Sequence, residues 1–454
     1  MTAQSDQPAS DQPRRRQRTV VIVGAAAVIV ALTALAGIWF GGGLEPSPSF
    51  IADPTGGSAA PASASPASPA ATPMEVPRTS IGSGIGVDWT TVATFPGAGV
   101  ADMTAGGPGF VAVGASPPGC EICPALEAFT GRIWTSVDGL QWTDVAVPGL
   151  AESTLYRVAA TSDRLVAFGE RDANPAAEEE ELVRQFLVST DGLTWIRSDV
   201  GGDYSTQLSD LVGGSMFVAV GSLVEPDYDP RGAIWTSTDG RDWQEVFRSA
   251  DESWIQSVTL TQDGWVAVGG AIRPPKVIPT ATCSPGSDCG EPINVLVPLV
   301  WTSTDGLSWT QSELPPGLSA IGGSAGTVLA THLGLIATGY AVYPGDEPSN
   351  QIQGFAAWRS LDGLTWQPAT VTTDFLENIG GGLLLYESDE RVFAIGSSCI
   401  CGSRAPGRWW TTTNGLDWVQ HTESPPIAGP VIQVEGGLLA TGSDGEAGAI
   451  LTSP

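Results

Sequence analysis

Lysine is almost missing from this chain: Lys276 is the single one among 454 residues, and histidine occurs twice, at His332 and His421. Basic residues number 20 against 49 acidic ones, for a formal net charge of −29. The first 43 residues hold four Arg and two Asp, so the remainder carries 47 acidic against 16 basic residues, a net −31. A surface this acidic repels phosphate backbones and anionic lipid, which argues against nucleic-acid and membrane-surface binding by the main domain. It reads first as a solvated surface that keeps an exported protein soluble. What is abundant is glycine at 57, proline at 35 and tryptophan at 16, a composition of many short strands joined by tight turns, unlike that of helix-rich folds.

The N-terminal region has its own organisation. After a polar segment, Arg14, Arg15, Arg16 and Arg18 form a basic cluster, and Thr19 to Phe40 is a continuous, largely apolar run without a charge. At 1.5 Å per residue, 22 helical residues reach about 33 Å, enough for a hydrocarbon core of about 30 Å. Basic residues on the N-terminal flank place residues 1–18 in the cytoplasm and everything after Gly41 outside. A cleaved signal peptide is the rival reading, with Ala34-Leu35-Ala36 supplying small residues, but the apolar run continues through Ile38, Trp39 and Phe40 and is long for a signal core. Residues 41–80 are rich in Pro, Ala and Ser, cannot bury a core, and read as a solvated spacer. The expected organisation is thus a tail at 1–18, a signal anchor at 19–40, a linker at 41–80 and one large domain at 81–454, on the extracellular side of the cell membrane.

That domain repeats itself. IWTSVDGLQW at 133–142 recurs as LVSTDGLTW (187–195), IWTSTDGRDW (234–243), VWTSTDGLSW (300–309), AWRSLDGLTW (357–366) and WWTTTNGLDW (409–418). An apolar run, a Ser/Thr step, Asp-Gly or Asn-Gly and a Trp two residues on predict a hairpin, because Asp-Gly and Asn-Gly admit φ > 0 in a two-residue primed turn. Each copy follows a glycine-ended apolar run, and there are seven of these: GFVAVG (109–114), RLVAFG (164–169), MFVAVG (216–221), GWVAVG (264–269), GLIATG (334–339), RVFAIG (391–396) and GLLATG (437–442). With a further short run ahead of most of them, one repeat is four strands, the last opened by the closing Trp. Closing Trp residues 142, 195, 243, 309, 366 and 418 recur every 48 to 66 residues, the spacing of four-stranded propeller blades. The seventh unit stops at Ser453 without turn or Trp, while residues 87–92 around Trp89 read as a last strand without earlier ones. The expectation is an all-β, seven-bladed propeller whose N-terminal strand completes the C-terminal blade.

On Ser-x-Asp-Gly-x-x-Trp, as in Ser303, Asp305, Gly306 and Trp309, residues from about 86 to 454 resemble the Asp-box, or BNR-repeat, propellers of sialidases and many non-enzymatic exported proteins, in a variant one residue shorter between Asp and Gly. The resemblance implies that Asp138, Asp191, Asp239, Asp305, Asp362 and Asn414 are structural turns between third and fourth strands. One carboxylate per loop falls far short of a calcium shell of six to eight oxygens. Sialidase chemistry in that family takes three arginines, a Tyr–Glu pair, an Asp acid/base and an early Arg-Ile-Pro segment. No such segment is present: Arg78 lies in Pro-Arg-Thr, Arg273 in Arg-Pro-Pro, and alternation sends adjacent Tyr386 and Glu387 to opposite sides of a strand.

Strand order puts the Asp turns on one face and the second-to-third loops, with the blade crossings, on the other. Insertions at 115–131, 170–184, 222–232, 270–298, 340–355 and 397–407 fall on that second face, where variable loops on a rigid frame carry function. Cys120 with Cys123, Cys283 with Cys289 and Cys399 with Cys401 all lie in these insertions and read as local disulfides, a four-residue loop being worth about 2 kcal/mol. Zinc held by Cys120, Cys123, Cys399 and Cys401 is the alternative, and a redox CxxC lacks its surrounding pattern. Tyr228 and Trp254 are candidate contacts on the loop face. Gly322-Gly323-Ser324-Ala325-Gly326 matches a nucleophile elbow but leads into a strand, not a helix, and Glu178 to Glu181 is a solvated charge run. The expected function is a membrane-anchored extracellular module, without cofactor or metal, that binds a protein or a cell-surface polysaccharide; the alternative is a divergent sialidase-like glycoside hydrolase.

Overall fold

Glycine-ended apolar runs become the second strands of successive antiparallel meanders in a computed structural model of the chain. It describes residues 80–81, 89–116, 129–172, 182–199, 206–224, 229–276, 293–317, 320–343, 352–372, 383–388, 390–396, 399–400, 403–404, 408–421, 427–434, 437–444 and 447–453. Among these residues every regular element is a strand. No helix among them is long and apolar enough to cross a membrane, and the run 19–40 lies outside them.

Meander 1 runs Gly99–Gly106, Gly109–Ser116, Thr130–Ser136, Thr143–Asp144, and meander 2 runs Ser153–Ala160, Leu165–Asp172, Leu182–Ser189, Ile196–Asp199. Meanders 3 and 4 share one strand. Gln244–Thr261 pairs as fourth strand with Pro230–Ser237 and then, further along, as first strand with Gly264–Lys276. Sequence periodicity gave no sign of this continuity, because the crossing segment Ser249 to Ser253 is polar and reads as a loop. Meander 5 begins at Gly322–Thr331 and meander 6 at Leu383–Ser388, each followed by three more strands. Meander 7 holds Ile427–Val434, Gly437–Asp444 and Ala447–Ser453, and its fourth strand is Trp89–Phe95, with Thr90 opposite Thr452 and Phe95 opposite Gly448.

The first strands touch one another in order, from meander 1 through to meander 7, and that of meander 7 returns to Gly99–Gly106. This is the ring of a β-propeller. Gly99–Gly106 and Thr206–Gly213 are half-buried along most of their length although they are innermost, as expected for strands that line an open axis. Between successive meanders lies an apolar cluster. Val111, Ile133, Leu155 and Leu187 fill the 1–2 cleft; Val220, Ile255, Leu299 and Trp301 the 3–4 cleft; Met103, Trp134, Leu439 and Ile450 the 7–1 cleft. Trp89, buried between meanders 6 and 7 with Tyr386, Phe393 and Leu451, takes the place that Trp195 occupies in the 1–2 cleft.

The terminal glycines have a specific cause. Gly114, Gly169, Gly221, Gly269 and Gly339 each sit opposite a register shift in the facing first strand, where one extra residue is accommodated. A Cβ on any of them would run into the carbonyl oxygen of that strand. Gly396 faces Leu383 without a shift, and a Cβ there would meet nothing nearer than 3.5 Å.

Candidate functional site

Ser136 starts the first of the recurring turns. Its hydroxyl accepts the Gly139 N–H at 2.8 Å and donates to Asp138 Oδ1 at 3.1 Å. The same Oδ1 accepts the N–H groups of Leu140 and Gln141, both at 2.9 Å, and Trp142 Nε1 donates to the Gly139 carbonyl at 2.9 Å. Asp191, Asp239, Asp305 and Asp362 repeat this pattern, and Asn414 repeats it with Thr412 in place of Ser. The two-residue primed turn expected from Asp-Gly is not what forms. Last strand pairs such as Val188 with Ile196 leave loops of seven residues in most copies, and of five between Ser360 and Trp366. Glycine alone is left-handed, at φ 72° to 74°, and none of the Asp residues is. The carboxylate explains the difference: by gathering two amides it fixes a wider loop that needs one φ > 0 position, not two. In most copies the closing Trp belongs to this loop and precedes the fourth strand, which it opens at Trp366.

These carboxylates stay ionised well below their ordinary range. Donation by the Thr194 and Leu193 amides takes Asp191 to about 2, and the Thr365 and Leu364 amides do the same for Asp362. The amide hydrogens point at Oδ1 of each turn, and among the described residues no group of three His, Cys, Asp or Glu gathers as a metal site. Each turn also leans on the preceding meander: Gly139 faces Leu439, Gly192 faces Pro108, Gly306 faces Met216 and Gly415 faces Ile336.

Around the axis lies a polar belt. Residues that follow the register shifts reach to the next first strand: Asp102 Oδ2 accepts the Val158 N–H at 2.8 Å, and Asp210 Oδ2 accepts the Val258 N–H at 2.9 Å and the Ser257 hydroxyl at 3.0 Å. Arg157 Nε stands 3.8 Å from Asp210. Burial raises Asp102 to about 6 against the opposing pull of Arg157.

Toward the loop face, meander 2 holds a network built on a buried acid. Glu170, buried immediately after the terminal Gly169, pairs with Arg184 and accepts the Tyr156 hydroxyl at 3.0 Å. Arg184 Nε donates to the Thr206 carbonyl of meander 3 at 2.8 Å. Sequence reasoning passed over it; the signal available was a lone acid directly following an apolar, glycine-ended run.

Trp254 is half-buried, and its Nε1 donates to Ser324 Oγ at 3.3 Å, so it spans the first strands of meanders 4 and 5. Ser324 is buried within the first strand of meander 5, while His332 engages Glu387 and His421 bonds Thr411 at 2.9 Å and stacks on Trp409, so the elbow motif assembles no triad. Tyr386 packs inside the 6–7 cleft, where burial raises its hydroxyl above the ordinary range, and Glu387 points outward to His332. Arg273 is held by Asp251 at 2.7 Å and Glu313 at 3.1 Å. Tyr228, Arg78, Glu178 to Glu181, Cys120, Cys123, Cys283, Cys289 and Cys401 lie outside the described residues, as does the side chain of Cys399. So do residues 82–88, whose sequence repeats Ser, Gly and Trp at turn spacing (Ser83, Gly86, Trp89) with Ile85 in place of Asp.

No family model matches the chain, and no curated protein does. Among solved structures it is similar to YCF48 bound to D1 peptide, at 15% identity and a TM-score of 0.41, over 80% of this chain and 96% of that one. It is also similar to the GH74 enzyme of Niastella koreensis, at 14% identity and a TM-score of 0.41, over 73% of this chain and 46% of that one. The α-L-arabinofuranosidase Arb93A of Fusarium graminearum follows at 13% identity and a TM-score of 0.36, over 64% of this chain and 89% of that one. This chain spans about half the length of the GH74 enzyme. No residue here takes a role from any of them.

Proposed function

We propose that the chain is a membrane-anchored, extracellular, seven-bladed propeller that serves as a protein- or glycan-binding scaffold, with its loop face as the contact surface. Residues 19–40 are the anchor, residues 41–80 the spacer, and the paired cysteines pin insertions on the loop face. The observation that carries this is where the recurring polar groups are spent. Every described Asp or Asn of the repeated turn commits its Oδ1 to two backbone amides and a hydroxyl, and Asp102 and Asp210 join neighbouring first strands. The repeated polar residues therefore hold a frame, and the six irregular insertions on the opposite face are left for recognition. A glycan array combined with proximity labelling on intact cells tests it: a reproducible protein neighbour or a bound sugar is expected, and neither in repeated trials would remove the scaffold reading.

A divergent glycosidase is the second reading, and one observation favours it. Tyr156 donates its phenol hydrogen to buried Glu170 beside Arg184, so when the phenol oxygen bonds an anomeric carbon its proton passes to Glu170 as the glycosidic bond to the departing aglycone breaks. Turnover of fluorogenic glycosides by the full chain, abolished in Tyr156→Phe, would establish it. Activity unchanged in that variant would remove this site from consideration.

A further inference from the structure

The face of recurring turns carries an apolar rim. Residues flanking the Asp-Gly steps point outward: Val137, Leu140, Leu193, Leu307, Leu361 and Leu364 are exposed, Leu361 at 78% and Leu364 at 71%. Leucine follows the glycine in five of the six turns, at 140, 193, 307, 364 and 416, and Arg241 holds the place in the third. Because each turn joins a third to a fourth strand, these side chains lie on one face of the ring. Singly, exposed leucines mean little; a repeated rim of them marks a contact surface.

Chain path identifies the occupant. Trp89–Phe95 runs antiparallel to Ala447–Ser453, and Ser80–Ile81 pairs with Trp89 and Thr90 on the outer edge of meander 7, at the end of that strand where the turns lie, so the N-terminal segment joins the propeller beside this same face. From Gly41 to Thr79 are 39 residues, and upstream lies the apolar run Thr19–Phe40. As a coil, 39 residues span about 35 Å root mean square. Tethering on that scale gives a surface patch an effective concentration of roughly millimolar order toward whatever the anchor sits in.

We propose that the rim of turns rests on the lipid surface that holds the chain's own anchor, which leaves the loop face directed away from the membrane. The inference rests on reading residues 19–40 as that anchor. The ionised carboxylates of Asp138, Asp191, Asp239, Asp305 and Asp362 share the face, so the surface must be zwitterionic; anionic lipid repels it, most at low salt.

A photoreactive diazirine amino acid is placed at 364, at 193 or, as a control, at Arg408, which is exposed at the start of a third strand and hence at the opposite face. The full chain is reconstituted in phosphatidylcholine vesicles, irradiated and searched for lipid adducts by mass spectrometry. Adducts at 364 and 193 about tenfold above 408 are expected, and substituting a third of the lipid by phosphatidylglycerol at low salt should cut them several-fold. Retention of the chain in carbonate-washed vesicles with no excess at 364 and 193 would overturn the docking while leaving the anchor. Release by carbonate would overturn the anchor reading and the inference with it. Protein–protein adducts between copies at 364, in place of lipid, would assign the rim to self-association and overturn the proposal.

Discussion

Replacing Gly139 by alanine probes how the ring is closed. Gly139 belongs to the turn of meander 1, has φ 73°, and a Cβ built on it lies 2.5 Å from Leu439 Cδ1 of meander 7. Two costs therefore add. A left-handed conformation costs an L-residue about 1–2 kcal/mol. Forcing a methyl into a packed contact costs about 1–3 kcal/mol more. Gly97 separates them, since at φ 68° its Cβ would meet nothing within 4 Å. Gly97→Ala should therefore lose only the backbone part, about 1–2 kcal/mol, and Gly139→Ala about 2–5 kcal/mol. Leu439→Ala opens the space that the methyl needs, so in that background the cost of Gly139→Ala should fall to that of Gly97→Ala, a coupling of about 1–3 kcal/mol. Urea melts of the four variants and the parent, followed by tryptophan fluorescence, measure all these terms. Equal losses in Gly97→Ala and Gly139→Ala, or strict additivity with Leu439→Ala, would refute the argument that the first turn is packed against the last meander.

Trp89→Ala should destabilise the whole domain by about 3–5 kcal/mol, because the ring is buried in the 6–7 cleft, and calorimetry should record one shifted transition. Deleting residues 86–95 should go further and abolish the cooperative melt; an unchanged one would mean that the N-terminal strand closes nothing. Asp102 links stability to pH with a defined sign. Its folded pKa of about 6 lies above the ordinary 3.8, so its contribution is fully present below about pH 4 and is lost as pH rises through 6, by up to about 3 kcal/mol. The melting temperature of the parent minus that of Asp102→Asn should fall between pH 4 and pH 7, and a flat difference would count against it. Ser237→Ala strips the acceptor from the Gly240 N–H, and should cost about 1–3 kcal/mol in a chemical melt. Glu170→Gln leaves Arg184 facing a neutral amide, and a loss of about 3–5 kcal/mol is expected by the same measurement, with a neutral result showing that the pair is solvated.

Among the candidate residues, the turns were legible because everything they use is local: Ser136, Asp138, Gly139 and Trp142 bond one another within a few residues. Their detailed form was not, since Asp-Gly dipeptides serve both a primed two-residue turn and the wider carboxylate-gathered loop. Networks that join distant strands left almost no trace. Tyr156, Glu170, Arg184 and Thr206 come together from four strands in two meanders, and no spacing rule links them. Trp254, singled out as a loop-face contact, reaches Ser324 because the ring brings two first strands side by side, 70 residues apart in sequence.

By itself, the sequence determined the strand count of a repeat, the order of its strands and the split last unit, because alternation, glycine and turn chemistry act over short distances. Tertiary structure decided which polar groups are spent on the frame. Only the packed ring shows that Gly114 and its four counterparts face an extra residue, that Asp102 and Asp210 reach across to the next first strand, and that Gly139 meets Leu439. Those contacts depend on how closely neighbouring meanders approach, a distance set by the side chains that fill the clefts and by nothing in the local sequence of either partner.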